Sequence, residues 1–424
     1  MRKLVIIAVA LIVLLAGFAA LRQGGQERGE GRFFADTTYN FEAVRALNEV
    51  APVGGDSADV QRAVNEIKPG DAESWFLAWS GAGERALRVA AKAQDPRSKG
   101  DALLRAHTYF RSAEFFLAPD DSRRPAIWQK NVAAFYQGLD ARGVRYERIN
   151  VPYGLYHLNA VYYPGPSGAE SRPLIMVMNG YDGTMEELYV SIVAAALERG
   201  YSVLTYEGPG QGAVLREQGL RMQADWEKPN AAVLDQFLST HHKPGNIVLM
   251  GESLGGYLAP RAAAFDPRID GVVAFDIWYD GYEIATHNVP RLLFWLHAHG
   301  YDTLIERLMQ HADSGAKWAV QNGQWVFGVK GPFGVFDAFR DYRVGPVAER
   351  ITQDVLLLAG ADDHFVPITQ LEPERRSLTH ARSVSVVVFD RDSGGAEHCQ
   401  IGAPSLWQAA FFDWLEAKFP VATR

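Results

Sequence analysis

The chain has 424 residues, 48% hydrophobic and 22% charged, which is ordinary for a folded globular protein and far from disordered or collagen-like composition. Lysine plus arginine number 42 against 50 aspartate plus glutamate, a net charge of −8, so the basic footprint that nucleic-acid binding needs is missing. A single cysteine, Cys399, excludes an intrachain disulfide and any zinc site built on cysteines.

Residues 1–21 read as a transmembrane anchor or a signal peptide. Arg2 and Lys3 precede an uncharged aliphatic run at 4–21, near the lower limit for spanning a bilayer and longer than the usual signal-peptide core. Gly17 and Ala19 form a candidate cleavage pair. Cations flank both ends of the run (Arg2 and Lys3 before it, Arg22 and Arg28 after it), so the charge rule orients it only weakly. The short basic N-terminus is expected to stay inside. The protein is then membrane-anchored with its body outside the cytoplasm, on the periplasmic side. Secretion after cleavage is the alternative. Residues 22–33, with the run QGGQERG, read as a polar, glycine-rich linker.

Residues 34–145 read as a helical domain. Leu87, Ala90 and Ala91 recur at helical spacing, as do Leu103, Leu104, His107 and Phe110, and Ala118-Pro119-Asp120-Asp121 is a break. The aromatic side chains here, among them Trp75, Trp79, Tyr109, Phe110 and Trp128, are expected to form its core.

From residue 146 to 424 the pattern changes. Strand-like runs at 146–150, 158–163, 174–178, 202–206, 247–250, 272–275, 355–358 and 384–389 alternate with helix-like segments at 186–198, 231–240, 255–265 and 406–418. This alternation predicts an α/β fold: an eight-stranded, mostly parallel sheet covered on both faces, its first two strands antiparallel. Residues from about 281 to 345 interrupt the rhythm and read as a helical cap insertion.

The strand at 247–250 runs straight into Gly251-Glu252-Ser253-Leu254-Gly255, and a helix follows. This is G-x-S-x-G in its strand–turn–helix setting, which pushes the Ser253 hydroxyl out at the sheet edge. An incidental turn is the competing reading. A serine needs a base held by an acid, and in sheets of this kind the order is serine, acid, histidine. Asp363 follows the strand at 355–358 and precedes Val366-Pro367. Its competitor is Asp362, and its other reading is a helix N-cap. His398 lies on a glycine-containing loop beyond the last strand; its other reading is a surface histidine. Oxyanion donors are expected from the backbone N–H of Leu254 and of Tyr181, the latter in the loop Asn179-Gly180-Tyr181-Asp182-Gly183-Thr184. Asp182 and Thr184 also read as caps of the next helix. Gly208-Pro209-Gly210-Gln211-Gly212 lacks phosphate-loop spacing and reads as a tight turn beside the site. His297-Ala-His299 is too sparse for a metal site, and no cofactor or metal is expected.

The segments ESWFLAW (73–79), RAHTYFRSAEFFL (105–117), NGYDGTMEEL, YEGPGQG, GESLGG, GADDHFVP and GAEHCQIG resemble the α/β-hydrolase superfamily. More narrowly, the chain resembles the branch containing 2,6-dihydroxypseudooxynicotine hydrolase, the fungal polyketide-shortening hydrolases and the fermentation–respiration switch esterase-like proteins. The resemblance implies the triad Ser253, Asp363 and His398. It also implies that the helical domain is a lid closing over the site with the cap. The branch includes both ester and carbon–carbon bond hydrolysis, and its members are expected to be mostly cytoplasmic, so the leader is a departure. The expected function is a serine hydrolase acting through an acyl-enzyme on an ester or related carbonyl compound, apolar or aromatic. A β-diketone-type carbon–carbon hydrolase, a serine peptidase and a non-catalytic binding protein on the same scaffold are the alternatives. The expected partners are a small-molecule substrate and, through the leader, a membrane; a homodimer is left open.

Overall fold

The computed structural model describes residues 32–50 and 57–420. Among these residues five helices come first: α1 (Thr37–Val50), α2 (Ser57–Glu66), α3 (Ala72–Lys92), α4 (Pro96–Glu114) and α5 (Arg124–Arg142). Asp71 starts α3 by accepting the amides of Glu73 at 3.0 Å and Ser74 at 3.3 Å, and Asp95 with Pro96 starts α4. Trp75, Trp79, Tyr109 and Phe110 are fully buried between these helices, where the sequence puts a core.

The sheet has eight strands: β1 (Glu147–Tyr153), β2 (Tyr156–Tyr163), β3 (Leu174–Met178), β4 (Val203–Glu207), β5 (Ile247–Glu252), β6 (Gly271–Phe275), β7 (Asp354–Gly360) and β8 (Ser383–Phe389). Their order is β1-β2-β4-β3-β5-β6-β7-β8. β1–β2 and β2–β4 pair antiparallel, and every other neighbour is parallel. All residues of β3, β4, β6 and β7 are buried, as expected for strands covered on both faces. One apolar core, with Met176, Leu249 and Leu357, fills one face, and a second, with Val177, Met250 and Phe275, fills the other. The helices among these strands are α6 (Ala194–Glu198), α7 (Gly212–Gln218), α8 (Glu227–Thr240) and α9 (Gly255–Ala263).

The helix expected at 186–198 forms, with the chain helical from 187 to 198. A π-helical turn at Tyr189–Val193 leads into α6. Glu187, in its first turn, accepts the Thr184 amide at 2.7 Å and binds two arginines.

Between β6 and β7 lie α10 (Gly281–Thr286), α11 (Arg291–Ala298), α12 (Asp302–Met309), α13 (Ser314–Phe327) and α14 (Gly331–Ala338). α15 (Leu371–Ser377) and α16 (Pro404–Lys418) complete the half that carries the sheet. The inserted helices meet the first five helices above the C-terminal edge of the sheet. Phe115, just beyond α4, stacks on Trp318 of α13 with centroids 4.6 Å apart, and the Arg124 guanidinium lies 4.4 Å from the Trp325 ring centroid. No helix among the described residues is long and apolar enough to cross a membrane; the run at 4–21 lies outside them.

Candidate active site

β5 ends at Glu252 and α9 begins at Gly255, so Ser253 occupies a turn of minimal length. Its φ is 59°, in the left-handed region that a residue with a side chain rarely adopts. Close backbone approach dictates the flanking glycines. A Cβ at Gly251 would stand 2.0 Å from the Gly255 carbonyl oxygen, and one at Gly256 1.7 Å from that of Asp276. The turn directs the Ser253 hydroxyl toward the loop beyond β8.

That loop carries His398, whose Nε2 is 2.9 Å from Ser253 Oγ. Its Nδ1 is 2.6 Å from Asp363 Oδ2. Asp363 is fixed by the loop beyond β7: its Oδ1 accepts the amides of Phe365 at 2.7 Å and Val366 at 2.8 Å, which leaves Oδ2 facing the imidazole. Asp362 turns outward and pairs with the exposed Arg391 at 2.5 Å. Of the two competing aspartates, the structure brings only Asp363 to His398. Burial opposes charge on both partners. Their mutual attraction outweighs it, holding the Asp363 carboxyl below its usual range and His398 well above the ordinary imidazole value.

The loop that carries the Tyr181 amide packs against the elbow that carries the Leu254 amide. Gly180 packs so tightly on the elbow that a Cβ there would come 2.6 Å from the Leu254 nitrogen. Neither the Tyr181 nor the Leu254 N–H has an acceptor among the described residues, so both remain open to an oxygen. The turn after β4 does more than sequence reading gave it. Gln211, buried, donates through Nε2 to the carbonyls of Asn179 at 2.5 Å and Gly180 at 3.1 Å, fixing the loop that carries the Tyr181 amide.

Asp182 and Thr184 do not cap the following helix as the sequence suggests. Asp182 binds Arg45 of α1 at 2.8 Å and Arg111 of α4 at 2.7 Å. Glu187 binds the same two guanidinium groups at 2.8 and 2.6 Å. Nearby Glu42 and Glu49 are buried too. Burial pushes the Glu42 carboxyl up to about 7 and holds Glu49 well above its usual range. Asp182 and Glu187 stay below the usual range because the two arginines overcome their burial. The cluster sets Arg45 and Arg111 among four buried or half-buried carboxyls and ties the first helices to the loop that carries Tyr181. Arg111→Met leaves one cation for two buried carboxylates. It should destabilise the protein by about 3 kcal/mol, read as a lower denaturation midpoint.

Ser253 and His398 open into a cavity of about 620 Å³. α1 supplies Phe41 and Glu42 to its wall, and the inserted helices supply Leu293, Trp318, Phe333 and Phe336. Trp278 and Phe339 also line it, whereas Trp295 is solvent-exposed. Two clusters of potential metal ligands fall inside the site, Asp276 with His398 and Cys399, and Asp363 with His364 and Glu397. Their donor atoms are already committed: His398 Nδ1 to Asp363, and His364 Nδ1 to Glu397 at 2.8 Å. Asp276 is a second carboxyl near His398 that the sequence reading missed. Its only local signal is an acidic residue directly ending a buried apolar strand.

The alpha/beta hydrolase family matches residues 174–404. Hydrolase acrC of Aspergillus aculeatus is 31% identical, over 92% of this chain and 98% of its own length. 20-hydroxy-prefusarin hydrolase FUS2 of Gibberella moniliformis is 31% identical over the same shares, 92% and 98%. The solved 2,6-dihydroxy-pseudo-oxynicotine hydrolase shares the fold with a TM-score of 0.66 at 21% identity, over 88% of this chain and 95% of that one. Sheet order, elbow and sequence relatives agree: the chain belongs to the alpha/beta hydrolase family.

Proposed function

We propose that this hydrolase is a serine enzyme working through an acyl-enzyme, with Ser253 as nucleophile, His398 as base and Asp363 as the acid that orients it. The observation that carries the reading is the continuous hydrogen-bonded line from Ser253 Oγ through His398 to Asp363, at 2.9 and 2.6 Å, at the floor of the cavity. Ser253 Oγ attacks a substrate carbonyl as His398 Nε2 takes its proton. The Tyr181 and Leu254 amides hold the oxyanion. The imidazolium returns the proton to the leaving group, and water, deprotonated by His398, then frees the acyl product. Aromatic walls fit an apolar or aromatic substrate of medium size.

A panel of aryl esters, amides and 1,3-diketones, run beside fluorophosphonate labelling, tests the reading. Ester turnover with labelling supports it. Turnover of diketones alone moves the reaction to carbon–carbon cleavage, in which an enolate leaves. Absence of both labelling and turnover makes the chain a binding protein.

We also propose that residues 1–21 anchor the protein in a membrane with the catalytic part outside the cytoplasm. A chain lacking 1–22 should be freely soluble and keep its activity, because every described residue of the site lies at or after Thr37. The full chain should sediment with membranes and resist high salt, since hydrocarbon burial is not screened by ions. Mass spectrometry of the mature N-terminus decides between versions: a start near Met1 fits an anchor, and a start near Ala20 fits a cleaved signal.

A further inference from the structure

Asp276 directly follows β6 and is fully buried. Its Oδ2 accepts the Cys399 amide at 2.8 Å and lies 3.4 Å from His398 Nδ1, the nitrogen that Asp363 also binds. Its Oδ1 meets no donor, although it is shut off from solvent. Asp276 and Asp363 thus both face that one nitrogen, at 3.4 and 2.6 Å. Two ionised carboxylates cannot share one dry imidazole contact. A proton on Asp276 Oδ1 resolves both problems, giving the orphaned oxygen a bond to make and removing one of the two charges. Burial, reinforced by the Asp363 charge, pushes the Asp276 carboxyl well above its usual range, in keeping with this assignment.

We propose that Asp276 is a reserve acid of the site, a positioning residue that stands protonated against Asp363 and, when Asp363 is removed, loses its proton to solvent and orients His398 in its place. The proposal rests on the serine-hydrolase reading above. It leads to an unusual ordering of variants. Asp363→Ala leaves His398 Nδ1–H with Asp276 Oδ2 as its one carboxyl acceptor. Asp363→Asn instead puts an amide donor against that nitrogen, so Asp276 cannot take over. The titratable groups facing Asp276 are Asp363 beyond β7 and His398 and Cys399 beyond β8; Glu252 on β5 acts on Cys399, and the contact with α9 is the uncharged Gly256.

The experiment measures the rate of Ser253 labelling by a fluorophosphonate, across pH, in the full chain and in Asp363→Ala, Asp363→Asn, Asp276→Asn and the double variant Asp363→Ala/Asp276→Asn. Asp363→Ala should label about 10²-fold faster than the double variant, while Asp276→Asn alone costs a far smaller factor, because contacting residues couple on this scale. The ratio of Asp363→Ala to the double variant should grow with pH, since only the former keeps a carboxyl to ionise. A purely structural Asp276 predicts the same loss in both backgrounds and a ratio independent of pH, and either result overturns the proposal. Asp276→Ser in the same pairings gives the same decision should the asparagine variant fail to fold. A wild-type chain that neither labels nor turns over substrate overturns the hydrolase reading and this proposal together; equal rates for Asp363→Ala and the double variant in an active enzyme overturn this one alone.

Discussion

Alanine at position 253 should abolish fluorophosphonate labelling and lower turnover by about 10⁶-fold, the scale seen when a triad serine is lost and only binding and oxyanion donors remain. The physical basis is local. The elbow presents one hydroxyl to His398, at 2.9 Å, and removal of its oxygen leaves the base with nothing to activate. The fold should be unaffected, because alanine meets the same left-handed strain at φ 59° as serine does. Circular dichroism and the denaturation midpoint check this. Labelling retained at full intensity would show that another residue is the nucleophile.

Asparagine at position 363 should slow turnover by about 10⁴-fold. Asp363 Oδ1 is held by the amides of Phe365 and Val366, so an asparagine keeps its oxygen on that side and turns its NH₂ toward His398. The imidazole must then accept at Nδ1 and carry its proton on Nε2, facing Ser253. A base that already holds its proton cannot take the serine's. Asp362→Asn removes only an exposed contact with Arg391 and should change stability by less than ~0.5 kcal/mol, with turnover almost unchanged. Steady-state kinetics of the two variants decide the matter, and a reversed ranking moves the acid role to Asp362.

What the sequence made legible is what short-range physics encodes. Gly251 to Gly256 can be read because a strand, a forced turn and a helix are contiguous, and the backbone contacts that demand those glycines lie within a few residues or on the next strand. Asp363 and His398 can be read because a buried parallel strand must end in a loop at the site edge. The sheet is legible from alternation, and even β3 has the limits its apolar run gives. Contacts between distant segments were not legible. Nothing near Arg45 or Arg111 announces that both bind Asp182 and Glu187, so Asp182 reads in the sequence as a helix cap. Asp276 escaped notice because one acid after an apolar strand is indistinguishable from a capping residue until His398 is seen beside it.

The ring of Phe41, on the first described helix, lies 6.3 Å from that of His398, in the last loop before α16. Under the serine mechanism proposed above, the site takes a wall from the first described helix and its base from the loop beyond β8. A polypeptide emerging from the ribosome has Phe41 and then Ser253 long before His398 exists. A chain cut short before that loop would then be inert however well its sheet has formed, and a substrate assay would count only molecules that extend through it.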